Sequence, residues 1–198
     1  MSLLSGATLL AVDTETTGFD VSRGARIVEV ARVAIVGGAI AEEWSSLVHP
    51  GRPIPEDAAK IHGITDAMVA DAPRAAGVGR LLREACADLP LVFHNAPFDL
   101  PFLRTLFEEA GAPPLANPIV DTLGLARGLA PGGGNSLGAV AARLQLPAET
   151  AHRALGDTRT TARLLVRLAA RWEAERGIRS LAELAAVSQD VVRLTARR

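Results

Sequence analysis

The chain has 198 residues and a formal net charge of −1, which suits one domain with ample core and excludes a broad polycationic surface. Hydrophobic residues make up 48% and charged residues 22%, ordinary for a globular protein; Tyr is absent, and Lys60 is the only lysine. The single Cys86 excludes an internal disulfide and fits a reducing compartment, and the apolar run at the N-terminus is too short for a signal or a span, so a cytoplasmic protein with no membrane partner is expected.

Thr8–Val12 reads as a buried strand running into Asp13, Glu15 and the turn Thr16-Thr17-Gly18. Side chains two apart on a strand share a face, so Asp13 and Glu15 stand together at the end of an apolar strand. Two like charges there are unfavourable unless a proton or a cation lies between them. Residues 26–36 and 39–48 alternate around Gly37-Gly38, which predicts a hairpin and, with the first strand, a three-stranded meander. His49–Pro55 is irregular. Short helices are expected at 56–62 and 65–69, and a longer one over 73–89. A short strand at 90–94 ends in His94-Asn95-Ala96-Pro97-Phe98-Asp99. Pro97 suits a first helical turn, and Leu100, Leu103, Leu106 and Phe107 give that helix an apolar stripe up to Gly111.

A fifth strand is expected at 118–121, then a short helix to Gly128. Residues 131–135, PGGGN, read as a flexible connector without the lysine of a phosphate loop, and Ser136 as the cap of a helix over 137–144. A long helix is placed at about 157–175, with one or two short ones after 179. No repeat, linker or second domain is evident. Strands followed by helices around one sheet, opened by an antiparallel meander, predict an α/β or α+β layered fold. Residues 1–198 read as one domain, core about 7–176, with a helical extension over 177–198.

On the long helix Asp157 shares a face with Thr161, Leu165, Leu168 and Trp172, within roughly 80° of it at ~100° per residue. Taken alone, Asp157 is as readily a helix N-cap. His152 lies five residues earlier and must sit on the preceding loop to act beside Asp157. Asp99, in the first turn of its helix, is favourable with the helix dipole whatever else it does. Arg159, Arg163, Arg167 and Arg171 form a row on the opposite face of the long helix. That row reads as a solvated face; contact with phosphates is the alternative. His49 and His94 read as structural, Asn95 as a turn or capping residue, and Cys86 as buried.

Three blocks in order, DTETTG at 13–18, HNAPFD at 94–99 and HRALGD at 152–157, resemble the DEDDh group of 3′→5′ exonucleases. This is the DnaQ-like family that includes the proofreading epsilon subunit of bacterial DNA polymerase III. Ile61–Thr65, IHGIT, and Asp121-Thr122 look like family segments too, so the resemblance spans about residues 7–170. It implies a ribonuclease H-like α/β fold: a five-stranded mixed sheet, an antiparallel meander plus two parallel strands, flanked by helices. It also implies that residues 1–198 are a single exonuclease domain.

Four carboxylates with no cysteine nearby make a hard-oxygen site suited to Mg²⁺ or Mn²⁺ rather than Zn²⁺. The resemblance implies that Asp13, Glu15, Asp99 and Asp157 hold two divalent ions, with Asp13 bridging. It gives His152 the proton of the attacking water. Thr16, Thr17, Gly18 and Phe19 would hold the terminal sugar and wedge against its base, with His62 and Phe98 in the same pocket. Nucleoside 5′-monophosphates would leave one at a time from a DNA 3′ end, in proofreading, repair or clean-up. RNA 3′ ends are the alternative substrate, and an inactive nucleic-acid-binding or polymerase-associated module is the alternative of another class. A polymerase or replication partner could dock on Val187–Leu194, but a stand-alone nuclease is the preferred expectation.

Overall fold

The computed structural model describes residues 2–195, and the side chains of residues 2–189. Residues 196–198 of the expected extension, and the side chains of 190–194 in the expected docking segment, lie outside the described residues. Five strands form one sheet: β1 (Thr8–Thr16), β2 (Ile27–Val36), β3 (Ala39–Leu47), β4 (Leu91–Phe93) and β5 (Ile119–Asp121). Their order across the sheet is β3-β2-β1-β4-β5. β1, β2 and β3 pair antiparallel, while β4 runs parallel to β1 and β5 parallel to β4. The expected meander with two parallel additions is therefore the observed sheet, and the fold is ribonuclease H-like α/β. The hairpin turn at Gly37-Gly38 has positive φ at both residues, 59° and 86°, which glycine adopts without strain.

Among the described residues the helices are α1 (Glu56–His62), α2 (Asp66–Val69), α3 (Ala75–Cys86), α4 (Ala96–Glu109), α5 (Thr122–Leu129), α6 (Leu137–Arg143), α7 (Ala154–Arg176) and α8 (Leu181–Thr195). Both faces of β1 are covered, which is why it reads as an unbroken apolar run. Leu9 and Ala11 belong to a core that includes Leu125 of α5 and Leu164, Leu165 and Leu168 of α7. Leu10 and Val12 belong to another that includes Leu82 and Cys86 of α3 and Leu103 and Phe107 of α4. Odd-numbered residues of β1 thus face α7 and even-numbered ones face α4.

Two elements differ from expectation. β1 continues to Thr16, so Glu15 lies within paired strand, opposite Glu29 of β2. α7 begins at Ala154, with Arg153 as its N-cap residue. Asp157 is therefore in the first turn and is not the cap. Ala154-Leu155-Gly156 carries no local start signal. The signal is tertiary, since the Glu29 carboxylate accepts the Ala154 N–H at 2.9 Å. The residues after 180 form one helix, as one of the two expected arrangements has it, and at 15 residues it is longer than expected. It packs on α5 and β5, with Leu184 and Ser188 fully buried.

Candidate active site

The alternation along β1 brings both helices to the end of that strand. Asp13 and Glu15 continue the parity of Leu9 and Ala11 and so face α7, whose first turn carries Asp157. Thr14 has the opposite parity and faces α4. Its hydroxyl donates to Asp99 Oδ1 at 2.7 Å, and Asp99 is only 3% exposed. The N-termini of α4 and α7 both end here, so their partial positive charges favour anions at this point.

An open cleft of about 510 Å³ lies over this junction. One wall carries Asp13, Glu15, Asp99, Asp157 and His152. One ligand atom each from Glu15, His152 and Asp157 lies within 4.8 Å of the others. Burial, followed by the charges of Asp99, Asp157 and Glu15, pushes the Asp13 carboxyl well above its ordinary range. Burial and the charge of Asp157 push Glu15 up to about 8. Burial raises Asp99 to about 7 against the hydrogen bond from Thr14. Asp157 is raised as well, again by burial first. A set of half-buried carboxylates that resist ionising together is the donor chemistry that a hard divalent cation satisfies, so these residues fit such an ion.

His152 is on the loop before α7, exposed, with φ at 57°. Its backbone N–H donates to Asp157 Oδ2 at 3.0 Å. The next residue is clamped: Arg153 donates from Nε and Nη2 to the two oxygens of Glu29 at 3.1 and 2.7 Å. Glu29 is 4% exposed and also accepts the Ala154 N–H, so one β2 carboxylate fixes the start of α7 and the loop that bears His152. Glu29 was missing from the expected site. The local signal for it is an acid on the strand face that otherwise carries Ile27, Ala31, Val33 and Ile35.

Asp121, 0% exposed, has a parallel role at α4. Its carboxylate accepts the N–H groups of Asn95 at 3.0 Å and Ala96 at 2.9 Å, and caps α5 through Leu123 N–H at 2.9 Å. Asn95 precedes α4 with φ at 80° and makes no side-chain cap, so it serves as a turn residue. His94 Nε2–H donates to the Asn135 carbonyl at 3.0 Å, and Nδ1 lies 2.9 Å from Thr122 Oγ1. It is a strut, although it also borders the cleft.

The cleft also carries an apolar set, Pro55, Ala58, Ile61, Phe19 and Phe98, with Asp57 of α1 beside it. Pro55, Ala58 and Ile61 were not among the expected contacts; nothing local marks them, because α1 reaches the cleft only through the fold. Phe19 is 82% exposed. Its ring meets Phe98 edge-on at 6.3 Å, and Phe98 meets the buried Phe102 at 5.4 Å. Thr16, Thr17 and Gly18 line the same cleft. Thr17 Oγ1 accepts the Arg26 N–H at 2.9 Å and Thr16 Oγ1 donates to the Gly18 carbonyl at 2.7 Å, which stiffens the turn under Phe19. His62 is 5% exposed. Its Nδ1 accepts the Ile64 N–H at 3.0 Å, while Nε2 closes no hydrogen bond. Burial holds its pKa below the ordinary value.

The arginine row resolves differently. Arg159 is bidentate on Glu43 of β3, at 3.0 and 2.6 Å, and Arg163 bonds Glu149. Arg171 pairs with Glu175. Arg159 and Arg163 hold α7 to the sheet edge and the loop before it, with their charge already matched, while the Arg171 pair lies within α7.

Carboxylates thus gather at the end of the central strand of a ribonuclease H-like sheet. Residues 10–165 match the protein family described as Exonuclease, and the chain belongs to that family. It is 45% identical over 172 residues to a DNA polymerase III subunit epsilon-like protein of Rhodobacter capsulatus, covering 83% of this chain and 24% of that one. It is 36% identical over 184 residues to the PolC-type DNA polymerase III of Bacillus subtilis, covering 92% and 13%. The chain thus spans less than a quarter of the length of these relatives. Among solved structures it resembles exonuclease X in complex with 5′ overhanging duplex DNA, at TM-score 0.71 and 33% identity, covering 91% of this chain and 99% of that one. It shares its fold with E. coli exonuclease I bound to a dT13 oligonucleotide, at TM-score 0.75 and 19% identity, over 86% and 43% of the chains.

Proposed function

We propose that this protein is a metal-dependent 3′→5′ exonuclease that removes nucleoside 5′-monophosphates one at a time from DNA, on single strands or frayed ends. The convergence of Asp13, Glu15, Asp99, Asp157 and His152 on one cleft carries the reading. The family membership and the DNA in the exonuclease X and exonuclease I structures support it. Asp13, Glu15, Asp99 and Asp157 would hold two divalent cations, Mg²⁺ or Mn²⁺. When bound, such ions supply charge neutralisation at the phosphoryl oxygens and a lowered barrier to water attack.

The chain's own groups do the rest. His152, exposed on the loop that Glu29 holds through Arg153, accepts the proton of the attacking water at a ring nitrogen. Phe19, Phe98 and Ile61 enclose the terminal base, and Thr16–Gly18 border the sugar. His62 lines the same pocket beside them. The apolar wall excludes water around the scissile bond, which strengthens every charge interaction there. The relatives named for DNA polymerase III favour work beside a replication partner in the cytoplasm, in proofreading, repair or clean-up. Residues 1–198 act as one exonuclease unit, with α8 part of its packing.

The test uses 3′- and 5′-labelled single-stranded DNA and RNA with Mg²⁺, Mn²⁺ or chelator. The expected result is mononucleotide release from the 3′ end of DNA, lost with chelator and in Asp13→Ala. Release from the 5′ end, or activity that survives chelation, overturns the reading. Faster release from RNA replaces DNA by RNA as the substrate.

A further inference from the structure

Phe102, which backs Phe98, also lines a second cavity, of about 240 Å³, between the start of β2, the turn after β3 and the helices α3 and α4. This cavity shares no lining residue with the acid cleft, so an occupant leaves the catalytic groups free. Val48, Phe102 and Leu106, all buried, give it an apolar lining. Its polar lining is Arg26, His49, Arg74 and Glu109. Two guanidiniums against one carboxylate leave that lining cationic. Arg26 Nε stands 3.4 Å from Glu109 Oε1, with both side chains more than a third exposed, and a long, solvated pair of that kind contributes little. Arg74 meets no carboxylate among the described residues; its Nη1 lies 3.0 Å from His49 Nδ1. The Gly51 N–H donates to the same His49 nitrogen at 2.9 Å, so the ring proton is on Nε2 and the imidazole is a donor there.

Such a lining suits an anion joined to an apolar group, and size and charge narrow the choice. The cavity is below the roughly 300–1,000 Å³ of drug-sized sites. It holds one apolar side chain and a carboxylate, not a nucleotide with base, sugar and phosphate. Glu109 opposes a doubly charged phosphate but accepts a peptide N–H. Gly51, Arg74 and Glu109 are exposed around the mouth, so a chain can trail from it into solvent. We infer that this cavity captures the C-terminal residue of a partner protein. The apolar side chain of that residue packs on Val48, Phe102 and Leu106, its carboxylate meets Arg74 and Arg26, and its amide N–H meets Glu109. Arginine suits the carboxylate because its planar fork binds both oxygens, and capture of a chain end by its carboxylate is a recurring mode of peptide recognition. The partner is thereby tethered beside the acid cleft without blocking it.

Anisotropy titrations use the full chain, metal-free and at low salt. The probes are N-terminally labelled hexapeptides, Gly-Ser-Gly-Ser-Ala-Leu and its relatives ending in Ile or Phe. Expected is saturable binding of at least one, weakened about tenfold when the C-terminus is an amide or the last residue is Ser, the scale of one charge-assisted hydrogen bond. Arg74→Gln, at an exposed position, should weaken the free-acid peptide about tenfold and leave the amide unchanged, because the interaction removed is with the carboxylate. Ala76→Leu, which narrows the cavity, should weaken both. The melting temperature of each variant is the fold control, and Arg74→Gln decides alone if Ala76→Leu fails to fold. Binding by none of the three peptides, equal binding of acid and amide, or an Arg74→Gln titration that matches wild type overturns the inference. N-acetyl-leucine that binds as tightly as the hexapeptide overturns it too, by making the ligand a small apolar acid and not a chain end.

Discussion

Asp13 is held in an environment that opposes its own charge, and the opposition has a measurable sign. Glu15 is raised from an ordinary 4.5 to about 8 and Asp99 from 3.8 to about 7, both by burial first. A carboxyl raised on folding keeps a proton that the unfolded chain has lost, so its contribution is present below the unfolded pKa and lost as pH climbs through the folded one. The metal-free protein should therefore lose stability from about pH 4.5 to about pH 8, seen as a falling denaturant midpoint. Added Mn²⁺ should raise the melting temperature more at pH 8 than at pH 5. Asp13→Asn removes one of the opposed charges. It should raise the metal-free melting temperature, abolish most of the Mn²⁺-dependent rise and reduce nucleotide release by at least about 10³-fold, consistent with loss of charge stabilisation at the reacting centre. A metal-free variant that melts below wild type would contradict this. These carboxylates were readable in the sequence because each block is local, a few residues at fixed spacing. Glu29 was not, because its role exists only through a partner 124 positions away.

At the scale of elements, the starts of α4 and α7 are each tied by a carboxylate from the sheet, Asp121 and Glu29, in place of local caps. Removing one partner of a buried pair costs about 3–5 kcal/mol. The Arg153 side chain is 41% exposed, so water recovers part of that, and Glu29→Ala should lose about 2 kcal/mol in urea unfolding. It should also lower kcat by more than it raises KM, because the loop bearing His152 is freed while the apolar wall is untouched. An equal effect on both would reduce Glu29 to a structural role. The α5–α8 contact makes a second prediction. A methyl at Gly124 would press into the Ser188 backbone. Gly124→Ala should cost about 1–3 kcal/mol as an overpacked contact and speed hydrogen exchange at Asp121 N–H, which donates to Ser188 Oγ at 3.1 Å. Alternation placed β2 and β3, and short apolar runs placed β1, β4 and β5, within a few residues, since both are local signals. The start of α7 escaped that reading for the same reason as Glu29: packing, not propensity, decides it.

Taken as a whole, the molecule keeps its charges apart. Acids gather at the end of the central strand, while on α7 Arg159 is matched by Glu43 of β3 and Arg163 by Glu149. Arg159→Ala should therefore leave the salt dependence of oligonucleotide binding unchanged and lower stability by less than about 1 kcal/mol, the scale of a partly exposed pair. A reduced salt slope would return α7 to the binding surface. The three phenylalanine rings carry one more consequence. They run from solvent to the interior of the α4 layer, and the middle one is the neighbour of Asp99 in the chain. A guest that leans on the outermost ring is thereby felt at a liganding carboxylate, so occupancy of the mouth and occupancy by metal should be thermodynamically reciprocal. A mononucleotide ought to tighten Mn²⁺, and Phe98→Ala ought to uncouple the two.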